Sequence, residues 1–366
     1  MAPWLVTQPT PLGPITIPSM SSRTTADMRM NASNRASNGA KTATKPIIKR
    51  ALNSLMNIFV RDWHDKLKEG IMYAITGITG QVGGTVARRL LAAKLPVRAV
   101  VRDAIKGAAW AERGCEVAVA DMNDTKALAD AFTPADGVFV LIPPMFDPSP
   151  GFSEVRVILA ALNEALGAAH PAKVVCLSTI GAQVARPNLL TQLGIMEQML
   201  GQLPMPIVFL RAGWFMENSA ADVAPARMTG VVPSFLQPLD KPVPMIATAD
   251  IGRVAAELFQ ECWSGRRVIE LEGPHRVTPN EIAAAFSKIL GRHIRMEAVP
   301  RERWEALFTS QGMKNPLPRV QMLDGFNEGW IEFEGGMAAS LKGKIELETV
   351  VKALVEHQVE GKADRP

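Results

Sequence analysis

The chain has 366 residues, 47% of them apolar, a mean hydropathy of +0.07 and a formal charge of +4, enough apolar material for one large or two smaller cores. Much of the positive excess lies in residues 1–60, where Asp27 alone faces Arg23, Arg29, Arg35, Lys41, Lys45, Lys49 and Arg50. No basic face interleaved with aromatics follows, which argues against nucleic acid as a partner; Cys115, Cys176 and Cys262 are too few and too scattered for a disulfide framework and fit a reducing, cytoplasmic compartment.

Residues 1–70 are unlike the rest. The stretch "SSRTTADMRMNASNRASNGAKTATK" is rich in Ser, Thr, Asn and Arg and has almost no hydrophobic periodicity. Such a segment cannot bury enough apolar surface to offset its ordering entropy, so it is expected to be a disordered extension. Two origins stay open: a transit-type leader, or upstream translation of a gene whose folded product starts at Met72. The abrupt onset of pattern at Met72 favours the second. Residues 47–66 could form a loose amphipathic helix, to which no function is assigned.

From Met72 short apolar runs alternate with helical patterns. Strands are expected at 72–76, 97–101, 115–120, 136–142, 173–178 and 206–212. Between them, helices are expected in "QVGGTVARRLLAAK", "IKGAAWAERG" closed by Gly114, "DTKALADAF" capped by Asp124, "SEVRVILAALNEALGAA" and "NLLTQLGIMEQMLGQL". The strands are continuous β-rich runs rather than alternating ones, the mark of strands covered by helices on both faces. The run "GVFVLIPPMF" is too short to span a bilayer and is broken by prolines, so no membrane partner is expected. The fold class is therefore α/β, a doubly wound parallel sheet. After residue 213 the rhythm loosens. "TGVVPSFLQPLDKPVPMI" suits a loop or short hairpin, and "TADIGRVAAELFQECW" a helix. "RVIELEG" and "IRMEAVP" read as strands, "TPNEIAAAFSKILG" as a helix capped by Thr278, and further helical segments run to the end. Residues 72–213 thus form a dinucleotide-binding domain and 214–366 a smaller, mainly α lobe that completes the sheet.

The glycines of "ITGITGQVGG" lie between the first strand and first helix. Gly77, Gly80 and Gly83 form G-x-x-G-x-x-G, a spacing variant of the dinucleotide fingerprint. One glycine permits the tight turn, one lets backbone approach a pyrophosphate, and one lets the helix pack close to the sheet. Thr79, Gln81 and Val82 supply amides at a helix start that attracts phosphate. About 20 residues on, an acid would accept the ribose hydroxyl of NAD. Here the second strand ends "VVRD", so Arg102 stands in that place, with Lys106 after it. A guanidinium grips a 2′-phosphate, which favours NADP over NAD. The alternative is a solvated Arg102 with Asp103 on the ribose. Asp121, past the third strand, is a neighbour for the adenine; Pro143 and Pro144, past the fourth, border the cofactor or simply end the strand.

These residues carry a likeness. From Met72 onward the sequence resembles the NmrA-like, atypical short-chain dehydrogenases/reductases, most of all the bacterial NAD(P)H-dependent quinone, azo-dye and triphenylmethane reductases. Its carriers are "ITGITGQVGG", "VRAVVRD", "GCEVAVADMND", "CLSTIGA", "FLRAGWFMEN" and "LKGKIELETVVKAL". The resemblance implies that Gly213, Trp214, Phe215 and Asn218 border the nicotinamide and substrate cleft; for Trp214 and Phe215 the alternative is a place in the core.

The wider superfamily uses a Tyr-x-x-x-Lys pair as proton donor. The one tyrosine here is Tyr73, in the first strand, so that chemistry is excluded. Some NmrA-like enzymes carry a lysine in the helix after the fifth strand, where this chain has Glu197 and Gln198. What remains is hydride transfer by positioning, to an aromatic acceptor such as a quinone or a cationic dye. Ser178 and Thr179, at the carboxyl edge of the sheet, are the candidate hydroxyls for an acceptor oxygen, or else they satisfy backbone groups. Met145, Phe146, Trp214, Phe215 and Met216 are candidates for an apolar acceptor pocket. His170, His275, His293 and His357 are isolated, so no metal site is expected. The reading is an NADPH-dependent reductase of quinone-like or dye-like acceptors. The alternative is a redox sensor that binds the dinucleotide and a regulatory protein partner without chemistry; a homodimer also stays open.

Overall fold

Nucleating runs of β-branched and apolar residues become strands where the sequence places them. The structure, a computed structural model, describes residues 72–363; the expected extension at 1–70 lies outside the described residues. The first half alternates without exception: β1 (Tyr73–Ile75), α1 (Gln81–Ala92), β2 (Val97–Val101), α2 (Ala104–Ala111), β3 (Glu116–Val119), α3 (Thr125–Phe132), β4 (Gly137–Val140), α4 (Ser153–Ala169), β5 (Lys173–Thr179), α5 (Thr191–Leu200) and β6 (Ile207–Ala212). The caps are where short polar side chains put them. Asp124 accepts from the Ala127 N–H at 2.9 Å, and Gly114, at φ +88°, ends the turn after α2.

Beyond β6 come β7 (Trp214–Phe215), a 3₁₀ turn (Met216–Asp222), α6 (Val223–Met228), β8 (Val231–Ser234), β9 (Met245–Ile246), α7 (Thr248–Leu258), β10 (Arg266–Glu272) and α8 (Pro279–Leu290). Then follow β11 (Arg295–Ala298), α9 (Trp304–Ser310), α10 (Leu317–Glu328), α11 (Gly336–Ala339), β12 (Leu341–Lys342) and α12 (Leu347–Ala363). Helix α8 starts with a full capping box between Thr278 and Glu281, with Pro279 at its first position.

The main sheet is eight-stranded and parallel throughout, in the order β3-β2-β1-β4-β5-β6-β10-β12. This is the doubly wound α/β class. The order reverses between β1 and β4, so a crevice opens at their carboxyl ends, where such sheets bind ligands. Successive residues feed opposite cores. Ile75 packs on one face with Val82, Val86 and Leu90 of α1 and Ile251 and Leu258 of α7. Ala74 packs on the other face with Leu128 and Phe132 of α3 and Leu159 of α4. Helix α7 lies tight against α1 because Gly252 has no side chain: a Cβ there would sit 2.6 Å from the Thr85 Cβ. A third core holds the lobe together around Phe286, Trp304, Phe308 and Phe326.

Three expectations are corrected. The proline-rich stretch after residue 229 is not a hairpin. Its ends form β8, parallel to β11, and β9, parallel to β7; Pro233 lies within β8, tolerated because that ribbon has only edges. Strand β3 is not covered on both faces, since it is the sheet edge and leaves Val119 54% exposed. And the closing segment is not wholly helical: Leu341–Lys342 adds β12 to the sheet. Among the described residues no helix is long and apolar enough to cross a membrane.

Candidate functional site

The crevice is lined first by backbone. Gly77 follows β1 at φ +62°, a conformation that costs other residues strain. The Gly80 N–H donates to the Gly77 carbonyl at 3.0 Å and closes the turn. Gly80 is the N-cap of α1, yet no side chain caps the helix and no acid occupies its first turn. The orphan N–H groups of Gln81, Val82 and Gly83 thus stay available to an anion. A Cβ on Gly83 would lie 2.4 Å from the Gly77 carbonyl oxygen, so only glycine lets the helix start sit this close to the turn. Thr79, Gly80 and Gln81 are exposed and Val82 is buried beneath them. The buried Thr76 hydroxyl donates to the Phe139 carbonyl (3.0 Å) and accepts from the Leu141 N–H (2.9 Å), which fixes β1 to β4 at the crevice floor.

On the neighbouring strand the register pairs Ile75 with Ala99, so Arg102 emerges from β2 beside the glycine turn. Arg102 is exposed, and among the described residues it holds no ion pair. Asp103, the rival for a ribose, is occupied: it is the N-cap of α2 and accepts from the Ile105 N–H at 2.9 Å. Lys106 is exposed in the first turn of α2. Asp121 is exposed just past β3, where its carboxylate accepts from the Asn123 N–H.

Next to this groove lies a cavity of about 710 Å³. Leu141 joins the two, since it lines the cavity and a Cβ on Gly77 would lie 3.1 Å from its Cδ2. The structure brings Pro143, Pro144, Met145 and Phe146 to one wall, Ser178 and Thr179 to the sheet edge, and Gly213, Trp214, Phe215 and Asn218 to a third side. Phe146 is 61% exposed, at the mouth. Trp214 and Phe215 are half-buried: Trp214 meets Phe326 edge-on at 5.2 Å, and Phe215 packs on the sheet core. Each therefore faces the cavity while resting on a core. Met216 does not join them; it is wholly buried in the core of the lobe.

The two hydroxyls at the sheet edge differ. Ser178 donates its single hydroxyl hydrogen to Glu197 at 2.6 Å and is buried, so it has none to offer an acceptor. Thr179 is half-buried and lines the cavity. Glu197 in turn is gripped at both oxygens by Arg211, at 2.9 and 2.7 Å, and Arg211 also reaches Glu334 at 2.8 Å. The position expected to lack a lysine thus holds a buried, neutralised acid instead.

Sequence reasoning missed two acids of this region. Glu217 accepts from the Thr248 N–H (2.9 Å) and lies 2.6 Å from its hydroxyl, itself 3.0 Å from Oε1 of Gln81. That chain ties the starts of α1 and α7 together, and burial raises the Glu217 pKa. Asp222, which lines the cavity, is pushed up to about 7 by burial, against a hydrogen bond from Ser219. It ends a 3₁₀ turn that carries no motif, so no signal in the sequence marks it.

The profile of the NmrA-like family matches residues 72–337. The chain is 30% identical over 248 residues to the NAD(P)H azoreductase of Xenophilus azovorans, covering 67% of this chain and 83% of that one. It is 27% identical over 251 residues to quinone oxidoreductase 2 of Escherichia coli, covering 67% and 84%. Among solved structures, the triphenylmethane reductase of Citrobacter sp. complexed with NADP(H) superposes with a TM-score of 0.64 at 19% identity, over 78% of this chain and 99% of that one.

Proposed function

The chain belongs to the NmrA-like family, and from that premise we propose that it is an NADPH-dependent reductase of flat aromatic acceptors of the quinone or dye type. One observation carries the reading: an uncapped, acid-free helix start on a glycine turn opens directly beside an aromatic-lined cavity. In this reading residues 72–213 hold the dinucleotide and 214–366 supply most of the acceptor wall. The backbone of Gly77–Gly83 holds the pyrophosphate, on a turn so close to the helix start that a Cβ on Gly83 would lie 2.4 Å from the Gly77 carbonyl oxygen. Arg102, with Lys106, holds the 2′-phosphate, because among the described residues its fork is unpaired while Asp103 is committed to its helix. Asp121 faces the adenine, and Pro143 and Pro144 bound the nicotinamide end.

When bound, the reduced nicotinamide supplies a hydride. The chain's own residues orient the acceptor and supply the proton. Trp214, Phe215 and Phe146 present flat apolar surfaces to a ring. The Thr179 hydroxyl hydrogen-bonds the acceptor oxygen. Asp222, its carboxyl pushed up to about 7 and so protonated below neutral pH, gives its proton to the oxygen that gains charge and is then reprotonated by water. Hydride plus proton completes a two-electron, two-proton reduction.

The test is calorimetric titration of the purified chain with NADPH and NADH, followed by loss of reduced-nicotinamide absorbance with a set of quinones. We expect tighter NADPH binding and turnover with at least one quinone. No heat with either nucleotide overturns the cofactor site. Binding without oxidation on any acceptor leaves a dinucleotide-binding regulator instead.

A further inference from the structure

Two more side chains of the cavity have no part in that reading. Arg319, on α10, lines it. Its guanidinium lies over the Phe308 ring at 4.4 Å, and among the described residues its one hydrogen bond runs from Nη1 to the Met313 thioether at 3.9 Å. Among the described residues no carboxylate answers its charge, and burial alone acts on it, lowering its basicity. Other arginines that leave water are treated differently: Arg211, Arg253 and Arg276 hold carboxylates at 2.7, 2.9 and 2.7 Å. A half-buried cation without a counter-ion costs stability, and an anion bound in the cavity would offset that cost. Gln192 is the second. It is 5% exposed, and its amide hydrogens go to the Met145 and Leu189 carbonyls at 3.1 and 2.9 Å. That fixes its orientation and leaves Oε1 buried with no partner. The two belong to one wall, because the Leu189 N–H donates to the carbonyl of Pro318, next to Arg319, at 2.8 Å.

We propose that Arg319 recognises an oxyanion, a carboxylate or a sulfonate, carried by the aromatic acceptor, on the wall that Gln192 braces through its bonds to Met145 and Leu189. The proposal rests on the reductase reading and narrows its substrate to anionic ring systems. With Nη1 turned to Met313, the guanidinium over the Phe308 ring still has its Nε–H and Nη2–H donors for the two oxygens of such a group. The low dielectric of an apolar cavity strengthens the pairing.

The test compares 1,4-naphthoquinone with 1,4-naphthoquinone-2-sulfonate as acceptors, alongside calorimetric titration with 2-naphthol and 2-naphthalenesulfonate, on the full chain. The wild type is expected to favour the sulfonate in both. Arg319→Gln is expected to cut the sulfonate-to-neutral ratio of kcat/KM, and of affinity, by about 10- to 100-fold. Arg319→Lys is expected to recover part of that loss, because it keeps the charge and loses the fork. If Arg319→Gln does not fold, the Lys variant carries the test through a smaller fall in the same ratio. A ratio untouched by these variants, or a wild type that binds both naphthalenes equally, overturns the proposal. If the wild type reduces no quinone, the reductase reading fails while the naphthalene titrations still decide the role of Arg319.

Discussion

The groove over β1 and β2 and the cavity beyond β4–β6 share one edge of one sheet, yet they are made differently. The groove is backbone: a positive-φ glycine, a turn closed by a main-chain hydrogen bond, and a helix start left open. Its geometry allows little variation, since a Cβ on Gly83 would sit only 2.4 Å from the Gly77 carbonyl oxygen. The cavity is side chain, gathered from loops after β4, β5 and β6 and from α8 and α10. The lesson is that a ligand common to many proteins is met by main chain, whereas a particular ligand is met by residues that can change without disturbing the fold. The contrast breaks most sharply at Gly80. Its outer face is exposed, and a Cβ would meet only the Gly77 carbonyl oxygen, at 3.3 Å. Gly80→Val is therefore expected to cost about 1 kcal/mol of stability and at least about 100-fold in dinucleotide affinity. Thermal melting and calorimetry read the two separately. Retained affinity would mean the pyrophosphate does not lie on this turn.

Arg102 sharpens the same contrast from within the groove, because there the proposed choice between NADPH and NADH falls to a side chain. Arg102→Ala is expected to lower the ratio of NADPH to NADH affinity by about 10- to 100-fold, the worth of a charge-assisted fork on a phosphate. Paired titrations measure it. An equal fall for both nucleotides would place Arg102 elsewhere than on the 2′-phosphate.

That difference also decides what could be read in advance. The fold was legible because six apolar runs alternating with helical patterns leave few topologies, and the groove because glycine is the residue backbone geometry demands. The Asp124 and Thr278 caps were legible for the same local reason. Strands β8, β9 and β12 were not, being two to four residues long and set by pairing with distant segments. Nor was the fate of Ser178. Its partner Glu197 lies on the next helix, and only packing shows that the hydroxyl is spent on it. Arg319 and Gln192 are 127 positions apart (319 − 192), and the Leu189–Pro318 hydrogen bond joins the segments that carry them.

Asp222 gives the smallest effect and tests the cavity half of the contrast. Its carboxyl is held protonated up to about pH 7 by burial. If it supplies the proton, kcat falls as pH rises through 7, since the donor form is lost. Asp222→Asn is expected to remove that limb and to lower kcat by about 10-fold at pH 6, a modest loss because a quinone needs little acid assistance. The same group makes a stability prediction of opposite character. Between the ordinary carboxylate pKa and 7, the native chain holds a proton that the unfolded chain has released. Stability therefore declines as pH rises across that interval and levels off above it. Asp222→Asn has no proton to lose, so it is expected to flatten this slope and to be more stable than the wild type at pH 8 by about 1–2 kcal/mol. Denaturant melts at pH 5 and pH 8 measure it, independently of any acceptor. A variant that flattens the stability slope but leaves the pH profile of kcat intact would keep the buried acid and remove it from the chemistry; the proton would then come from water at the open mouth beside Phe146.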